Sequence, residues 1–203
     1  MVLATLDLLR GAGLAGAGIN PIVKASGAPK GSVYHFFPAG KTQLVTAALR
    51  EAERAVGEGF RNVFGKPAPL SQKIRTLFSA TATRIEASKF TKGCPVAAVT
   101  LDIDDQSAEL RGICHDVFTT WGEIIAAGLD EVPAAQRREV AQLILAALEG
   151  ALILARARAT KDPLLQTGAL LADTLASAFA RKGDGASRPG RARARSDRRR
   201  GRP

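Results

Sequence analysis

"INPIVKASGAPKGSVYHFFPAGK", residues 19–41, contains two short segments of helical character separated by Gly27. Gly27 permits the left-handed backbone that ends a helix, because glycine has no Cβ to clash in that conformation. Pro29 stands where the next helix would begin, and proline is well tolerated in a first helical turn. The stretch therefore predicts a helix over 19–26, a short turn, and a second helix over 29–37. This is the arrangement of a helix-turn-helix.

The second of these helices carries the candidate DNA contacts. It begins with Lys30, Gly31 and Ser32, which combine a cation, free backbone N–H groups and a small residue that lets another backbone approach closely. A helix that enters a major groove needs those properties where it meets the phosphate backbone. The side chains expected near or on its exposed side are Lys30, Ser32, Tyr34 and His35.

Four consecutive rings, Tyr34 to Phe37, leave two interpretations open. Helical spacing places Val33 and Phe37 on one face, so we expect Phe36 and Phe37 to pack against a core. Tyr34 and His35 each have a polar tip, which favours contact with DNA. The alternative is that all four rings are simply packed inside.

The rest of the chain predicts an all-α protein. Of its 203 residues, 46% are hydrophobic, and its β-branched residues are scattered and do not alternate as in strands. The additional helices that spacing and punctuation predict cover 2–11, 41–64, 70–89, 95–101, 106–130, 134–159 and 163–181.

The formal net charge of +10 is distributed unevenly. Residues 181–203 hold ten Lys or Arg against two Asp, residues 1–50 have a net charge of +4, and residues 51–180 have a net charge of −2. Basic segments at both ends favour an anionic partner such as nucleic acid. The tail 182–203 lacks apolar periodicity and is predicted to be disordered, either adding non-specific DNA affinity or having no role.

A dinucleotide-binding site is excluded although Gly11, Gly13 and Gly16 spell G-x-G-x-x-G. That motif needs a preceding strand and an acidic residue about twenty positions later. No Asp or Glu occurs between Asp7 and Glu51, so we interpret the glycines as part of a helix–helix connection.

Metal binding and catalysis find equally little support. The run 102–105, D-I-D-D, lacks the Gly and Glu of a calcium loop at its sixth and twelfth positions. Cys114, His115 and Asp116 are adjacent on a predicted helix and point about 100° apart, so they cannot converge on one metal. We predict no catalytic residue, no metal and no cofactor.

A cytoplasmic protein without a membrane partner is predicted. No run of roughly 18 apolar residues occurs, and Asp7 interrupts the apolar N-terminal stretch, which no basic residue precedes. Cys94 and Cys114 are too few for a disulfide framework and fit a reducing compartment.

The sequence Ile22 to Phe37, followed by Lys41-Thr-Gln-Leu44, resembles the DNA-binding domain of TetR-type transcriptional regulators. "GCPVAA" at 93–98 is similar to the LmrA/YxaF-like subgroup, whose members mostly repress multidrug-efflux or oxidoreductase genes. The resemblance implies that Lys30, Gly31 and Ser32 start the recognition helix. It implies that Tyr34 and His35 meet phosphates or base edges and that Lys41 holds a phosphate.

The resemblance also implies three parts of the chain: a DNA-binding domain at 1–40, an effector-binding and dimerisation domain at 41–181, and the basic tail at 182–203. A homodimer is expected through the helices near 134–159 and 163–181. Residues 140–155 are nearly continuous in apolar and small residues and need cover on more than one side. A wholly intramolecular core is the alternative.

An effector pocket between the central helices is a further implication of the family. We expect it to be mostly apolar with few charges and to take a small, uncharged, flat hydrophobic effector. An aromatic stripe at helical spacing is, however, more often core than pocket. The candidate lining residues are Phe60, Phe64, Phe78, Cys94, Leu101, Phe118, Trp121 and Ile125.

Three functions remain open at this point. The first is a ligand-responsive transcriptional regulator, most simply a repressor, that binds a palindromic operator as a dimer. The second is a non-specific nucleic-acid-binding protein driven by the basic tail. The third is a small helical enzyme, for which no catalytic constellation is found.

Overall fold

Within residues 1–104 and 107–180, which the computed structural model describes, the chain folds into nine α-helices and contains no strand. The all-α prediction is confirmed. The tail 182–203 lies outside the described residues. A single 3-10 turn, Ala134–Gln136, precedes α8. The helices are α1 Val2–Gly16, α2 Ile19–Ser26, α3 Lys30–Phe36, α4 Lys41–Phe64, α5 Leu70–Ala87, α6 Pro95–Asp102, α7 Ala108–Ala127, α8 Arg137–Arg158 and α9 Asp162–Phe179.

Helices α2 and α3 form the predicted helix-turn-helix. Gly27 ends α2 with φ 66° and ψ 7°, and its N–H donates to the Val23 carbonyl at 3.0 Å. Ile22, Val33 and Leu44 are fully buried and form a small core of their own. Because Leu44 belongs to α4, the small core is closed by the same helix that continues into the rest of the protein.

Helix α1 is longer than predicted and is kinked. It continues beyond 2–11 to Gly16, with a non-helical residue inside it, Gly13, at φ 67° and ψ −167°. The next N–H, of Leu14, donates to Oδ2 of Asp102 at 2.7 Å, and the Leu14 carbonyl accepts from Nζ of Lys41 at 2.7 Å. The peptide groups after the kink thus bond to the end of α6 and the start of α4.

A larger core occupies the space between α1 and helices α4 to α9. Lys73 on α5 is only 3% exposed, and its ammonium joins two helix ends. It donates to the carbonyls of Phe64 at 3.1 Å and Gly128 at 2.8 Å, where α4 and α7 terminate. A cation at two helix C-termini satisfies carbonyls that have no intrahelical partner and complements both helix dipoles.

Helices α5 and α9 approach closely at one glycine. A Cβ placed on Gly168 would lie 2.5 Å from Cβ and 2.7 Å from Cγ of Phe78, a side chain that is itself buried. Gly112 on α7 has the opposite environment, because an added Cβ there would meet nothing within 4 Å. Comparing the two positions distinguishes the effect of a side chain on the α5–α9 packing from the low helix propensity of glycine.

We expect Gly168→Ala to destabilise the protein by about 1–3 kcal/mol, since the added methyl group must displace Phe78. Gly112→Ala is the matched control and should stabilise by about 0.5–1 kcal/mol through helix propensity alone. Urea unfolding of both variants and the parent measures the difference. Stabilisation by both substitutions would contradict the tight α5–α9 contact.

Candidate nucleic-acid interface and internal cavity

The exposed surface of α3 contains most of the residues that the sequence predicts to contact DNA. Lys30, Gly31, Tyr34 and His35 are exposed, with Tyr34 at 55%, and Ser32 is half-buried. An added Cβ at Gly31 would meet nothing within 4 Å, so the backbone there is open to a partner. The fold therefore displays a cation, two ring side chains with polar tips and an open backbone on one short helix.

Phe36 departs from its predicted position. It is 62% exposed and not packed, and its ring meets the ring of His35 edge-on at a centroid distance of 4.8 Å. Val33 and Phe37 are four residues apart and take the core-facing side of α3, which leaves Phe36 at the edge of that side. A large exposed ring beside the predicted contacts adds Phe36 to the candidate surface.

Lys41 has a structural partner. Its ammonium donates to the Leu14 carbonyl near the end of α1, and the residue is half-buried. The structure therefore places this side chain in the contact between α1 and α4, whereas the resemblance implies a bond to a DNA phosphate.

A cavity of about 350 Å³, partly open to solvent, lies between the helices and is within the size range of ligand pockets. Helices α1, α4, α5, α7 and α8 and the start of α6 supply its walls. Of the predicted lining residues, the structure brings Phe60, Cys94 and Trp121 together there. The Phe60 and Trp121 rings meet edge-on at 5.8 Å, and the Trp121 indole N–H donates to the Glu53 carbonyl at 3.1 Å.

Five predicted lining residues lie elsewhere. Phe64, Phe78 and Ile125 are fully buried in the core and do not border the cavity, because each packs into a helix contact. Leu101 is 77% exposed in the last turn of α6, on the side of that helix that does not pack against α1, α4 or α7. Phe118 borders a separate depression between α7 and α8, although its ring contacts Trp121 edge-on at 5.8 Å.

The cavity is also lined by charged residues that the sequence reasoning missed. Asp7 and Arg10 come from α1, Arg84 from α5, Lys92 from the following loop and Glu149 from α8. The sequence does contain one signal, because Glu149 is the only charged residue between Glu139 and Arg156. A single acidic residue in such an apolar helix indicates either that it lies on an exposed face or that it belongs to a buried polar site. The expectation of a pocket with few charges is thus corrected.

Glu149 is a buried acid with one unsatisfied oxygen. Its Oε2 atom is inaccessible to solvent and accepts no hydrogen bond from the described residues. Burial raises the pKa of the Glu149 carboxyl to about 7, an effect that the neighbouring Cys94 thiol partly offsets. Burial and the nearby Glu149 charge raise the pKa of Cys94, so its thiol stays protonated.

The fold and the two sites define a helix-turn-helix protein with a larger helical body and a ligand-sized cavity between that body and α1. A family model described as "Transcriptional regulator LmrA/YxaF-like, C-terminal domain" matches residues 71–170. The HTH-type transcriptional regulator YxaF of Bacillus subtilis is 33% identical over 150 residues, or 73% of this chain and 78% of YxaF. The chain belongs to the TetR-type transcriptional regulators, in the LmrA/YxaF-like group.

Solved structures agree with this assignment. A TetR transcriptional regulator from Chloroflexus aurantiacus has a TM-score of 0.70 at 29% identity, covering 86% of this chain and 91% of that one. The TetR family regulator CifR, solved as a cysteine mutant with 26-bp double-strand operator DNA, has a TM-score of 0.73 at 20% identity. That alignment covers 85% of this chain and 93% of CifR and shows the shared fold. The relatives are named as transcriptional regulators and not as enzymes.

Glu149→Gln should change how stability depends on pH. The folded carboxyl titrates at about 7 and the unfolded one near 4.5, so between those values the folded state binds more protons. Stability should therefore fall by about 2–3 kcal/mol as pH rises through this window, and glutamine should abolish the loss. Urea unfolding of both proteins at about pH 5 and about pH 8 tests this. Parallel profiles would contradict the buried acid.

Proposed function

We propose that the protein is a ligand-responsive transcriptional repressor that binds a palindromic operator as a homodimer and is released by a small effector. The observation that carries this proposal is the set of hydrogen bonds between α1 and the cavity-lining body. Residues 1–40 would bind DNA, and residues 41–181 would dimerise and, together with Asp7 and Arg10 of α1, bind the effector, in the cytoplasm. The basic tail 182–203 would at most add non-specific affinity.

The exposed side of α3 supports the DNA-binding part. Lys30 offers a cation for a phosphate, Gly31 an open backbone, and Tyr34 and His35 polar tips for phosphates or base edges. Because the Lys41 ammonium is bonded to Leu14, a phosphate contact by Lys41 would require that bond to break when the operator binds.

An outward apolar stripe on α8 supports the homodimer. A single helix-turn-helix reads only a half-site, and a dimer presents two recognition helices roughly 34–36 Å apart. The exposed large apolar side chains on α8 and α9 are Leu143, Ile153, Leu154, Leu165 and Leu170. Gly150 lies between them, and nothing lies within 4 Å of a Cβ built there, which allows another helix to approach closely.

Helix α8 also has the length and apolar composition typical of a membrane-spanning helix. Ala134–Arg158 is the one segment in the described part of the chain that is long and apolar enough to cross a membrane by length and composition. Helices of soluble cores pass the same test, and the inner side of α8 packs here through Val140, Ile144 and Leu148. A partner subunit over the outer side would account for the rest of its apolar character.

Coupling between cavity and DNA would pass through α6 and α1. Cys94, at the start of α6, lines the cavity, and Asp102, at its end, holds the Leu14 N–H. Two further bonds join α1 to the body: the Gly93 N–H donates to the Arg10 carbonyl at 2.8 Å, and Arg156 donates to the Gly11 carbonyl at 2.6 Å. An effector that favours one position of these groups would favour one spacing of the recognition helices.

Operator binding is the first test. Fluorescence anisotropy on the DNA upstream of the protein's own gene, against scrambled competitor, should show a sequence preference. Tyr34→Ala should cost about 1–3 kcal/mol of that preference if it touches bases, and Lys30→Ala should weaken all DNA binding and reduce the salt slope by about 1. Lys66→Ala, an exposed lysine just beyond α4, is the matched control and should leave both unchanged.

A truncation to residues 1–181 separates the repressor from the tail-driven alternative. If the truncated protein keeps its preference for the operator, the helix-turn-helix carries specificity. Loss of all binding with the tail, together with no effect of Tyr34→Ala, would favour the non-specific nucleic-acid-binding function instead.

Dimerisation is tested at Leu154. In a two-fold interface each substitution occurs twice, so Leu154→Glu would bring two carboxylates into the apolar contact between subunits. We expect sedimentation velocity to show a monomer and operator affinity to fall at least about tenfold. Leu101→Glu is the matched control, an exposed leucine on α6 away from α8 and α9, and should remain dimeric. A dimer that survives Leu154→Glu would place the interface elsewhere.

A further inference from the structure

Two arginines on the cavity wall have no partner in the described part of the chain. Neither the Arg10 nor the Arg84 guanidinium donates a hydrogen bond to a described residue or forms an ion pair with one. Lys92 and Asp7, which also line the cavity, are paired with each other. Asp7 also attracts Arg10, but by less than Arg84 repels it, and the Asp7 carboxylate is already bonded to Lys92. The uncompensated charge of the wall is therefore positive.

Arg10 and Arg84 also repel one another. Burial and the neighbouring Arg84 charge, in that order, lower the pKa of Arg10, although it stays protonated at any physiological pH. Arg10 is half-buried and Arg84 is exposed, so the pair extends from the interior toward the solvent. Two like charges that have no hydrogen-bonded counter-ion among the described residues gain most from an anion that bonds both.

Apart from the charged residues and the hydroxyls of Thr81 and Ser88, the cavity wall is apolar. It includes two aromatic rings and several aliphatic side chains, and the Cys94 thiol is protonated. With a pKa of about 7, Glu149 is substantially protonated near neutral pH, so it opposes an anion less than an ordinary carboxylate would. The apolar lining residues are Val56, Phe60, Ile85, Pro95, Trp121, Leu148 and Leu152.

We propose that the cavity binds an organic anion with an apolar body, its carboxylate or similar group bonded by Arg10 and Arg84 and its body packed against Phe60 and Trp121. The proposal rests on the proposed function in that it names the chemical class of the effector. It replaces the uncharged hydrophobic effector expected from the sequence. A cation of the same shape meets two arginines without a counter-charge and binds less well.

The position of Arg10 gives the anion a direct path to the DNA-binding helices. Arg10 lies on α1, three residues before the kink at Gly13, and its carbonyl accepts the bond from Gly93. An anion bonded to the Arg10 side chain draws α1 and α5 together through Arg84. The effector thus acts on the helix that positions the small core of the helix-turn-helix.

Three probes that differ only in the head group test the charge preference: phenylbutyrate, phenylbutyramide and phenylbutylammonium. Trp121 is the only tryptophan of the chain and lines the cavity, so its fluorescence reports binding to the full-length protein. We expect the acid to bind at least about tenfold more tightly than the amide, and the ammonium ion to bind most weakly.

Arginine variants test the site. Arg10→Gln and Arg84→Gln should each reduce affinity for the acid toward that of the amide and leave the amide unaffected. Arg61→Gln, an exposed arginine on α4 that does not line the cavity, is the control. Arg84 is exposed, so Arg84→Gln should keep the fold even if Arg10→Gln does not, and thermal melting checks both.

The possible outcomes distinguish failure of the anion site from failure of the regulator function. Equal affinity for acid and amide, an unchanged preference in Arg84→Gln, or no binding of any probe at millimolar concentration would overturn the anion site. Binding of the acid without any change in operator affinity would support the anion site and contradict the ligand response. Absence of operator binding by the free protein would contradict the regulator function, whichever probe binds.

Discussion

The two peptide groups of Leu14 hold the DNA-binding helices against the rest of the protein. The Leu14 N–H bonds to Asp102 from α6, and its carbonyl bonds to Lys41 from α4. The bond to Asp102 requires glycine at position 13, where φ is 67° and an added Cβ would lie 2.6 Å from the carboxylate oxygen. The direction of α1 after the kink, and with it the placement of α2 and α3, therefore depends on a contact with the cavity-lining body.

The polar groups that line the cavity destabilise the folded protein. Glu149 has an oxygen with no donor among the described residues, and Arg10 and Arg84 repel one another across the wall. Apolar side chains would fill the same space without these penalties. Proteins tolerate such arrangements chiefly at sites that bind something, so the charges argue for a ligand more strongly than the volume does. In a purely structural cavity these groups would have no compensation.

Local features were predictable and tertiary ones were not. Gly27 and the spacing of Val33 and Phe37 define the helix-turn-helix from the sequence alone, because turn chemistry and helical period are properties of neighbouring residues. The positions predicted for Leu101 and Phe36 are wrong because the side of a helix that is covered depends on its neighbours in the fold, which the sequence does not show. The charged residues of the cavity could not be predicted from the sequence for a related reason. Arg10 and Arg84 are 74 residues apart in sequence, and only the packing of α1 near α5 brings them together.

Helix α8 contacts the three parts of the protein that a ligand response would need: the cavity, the outer apolar surface and α1. Its inner side gives the cavity Leu148, Glu149 and Leu152, its outer side presents Leu143 and Leu154, and Arg156 near its end bonds the Gly11 carbonyl. If the outer side is fixed against a second subunit, α8 cannot yield when the cavity fills. The wall left to shift is then α1, which joins the small core to the larger one, where Leu6 and Leu9 pack, and which hydrogen bonds also tie to α6 and α8. Because a ligand can shift an equilibrium only by its unequal affinity for the two states, the groups that discriminate between them should lie on that movable wall. Arg10 is the charged side chain of α1 that lines the cavity without a hydrogen-bond partner among the described residues.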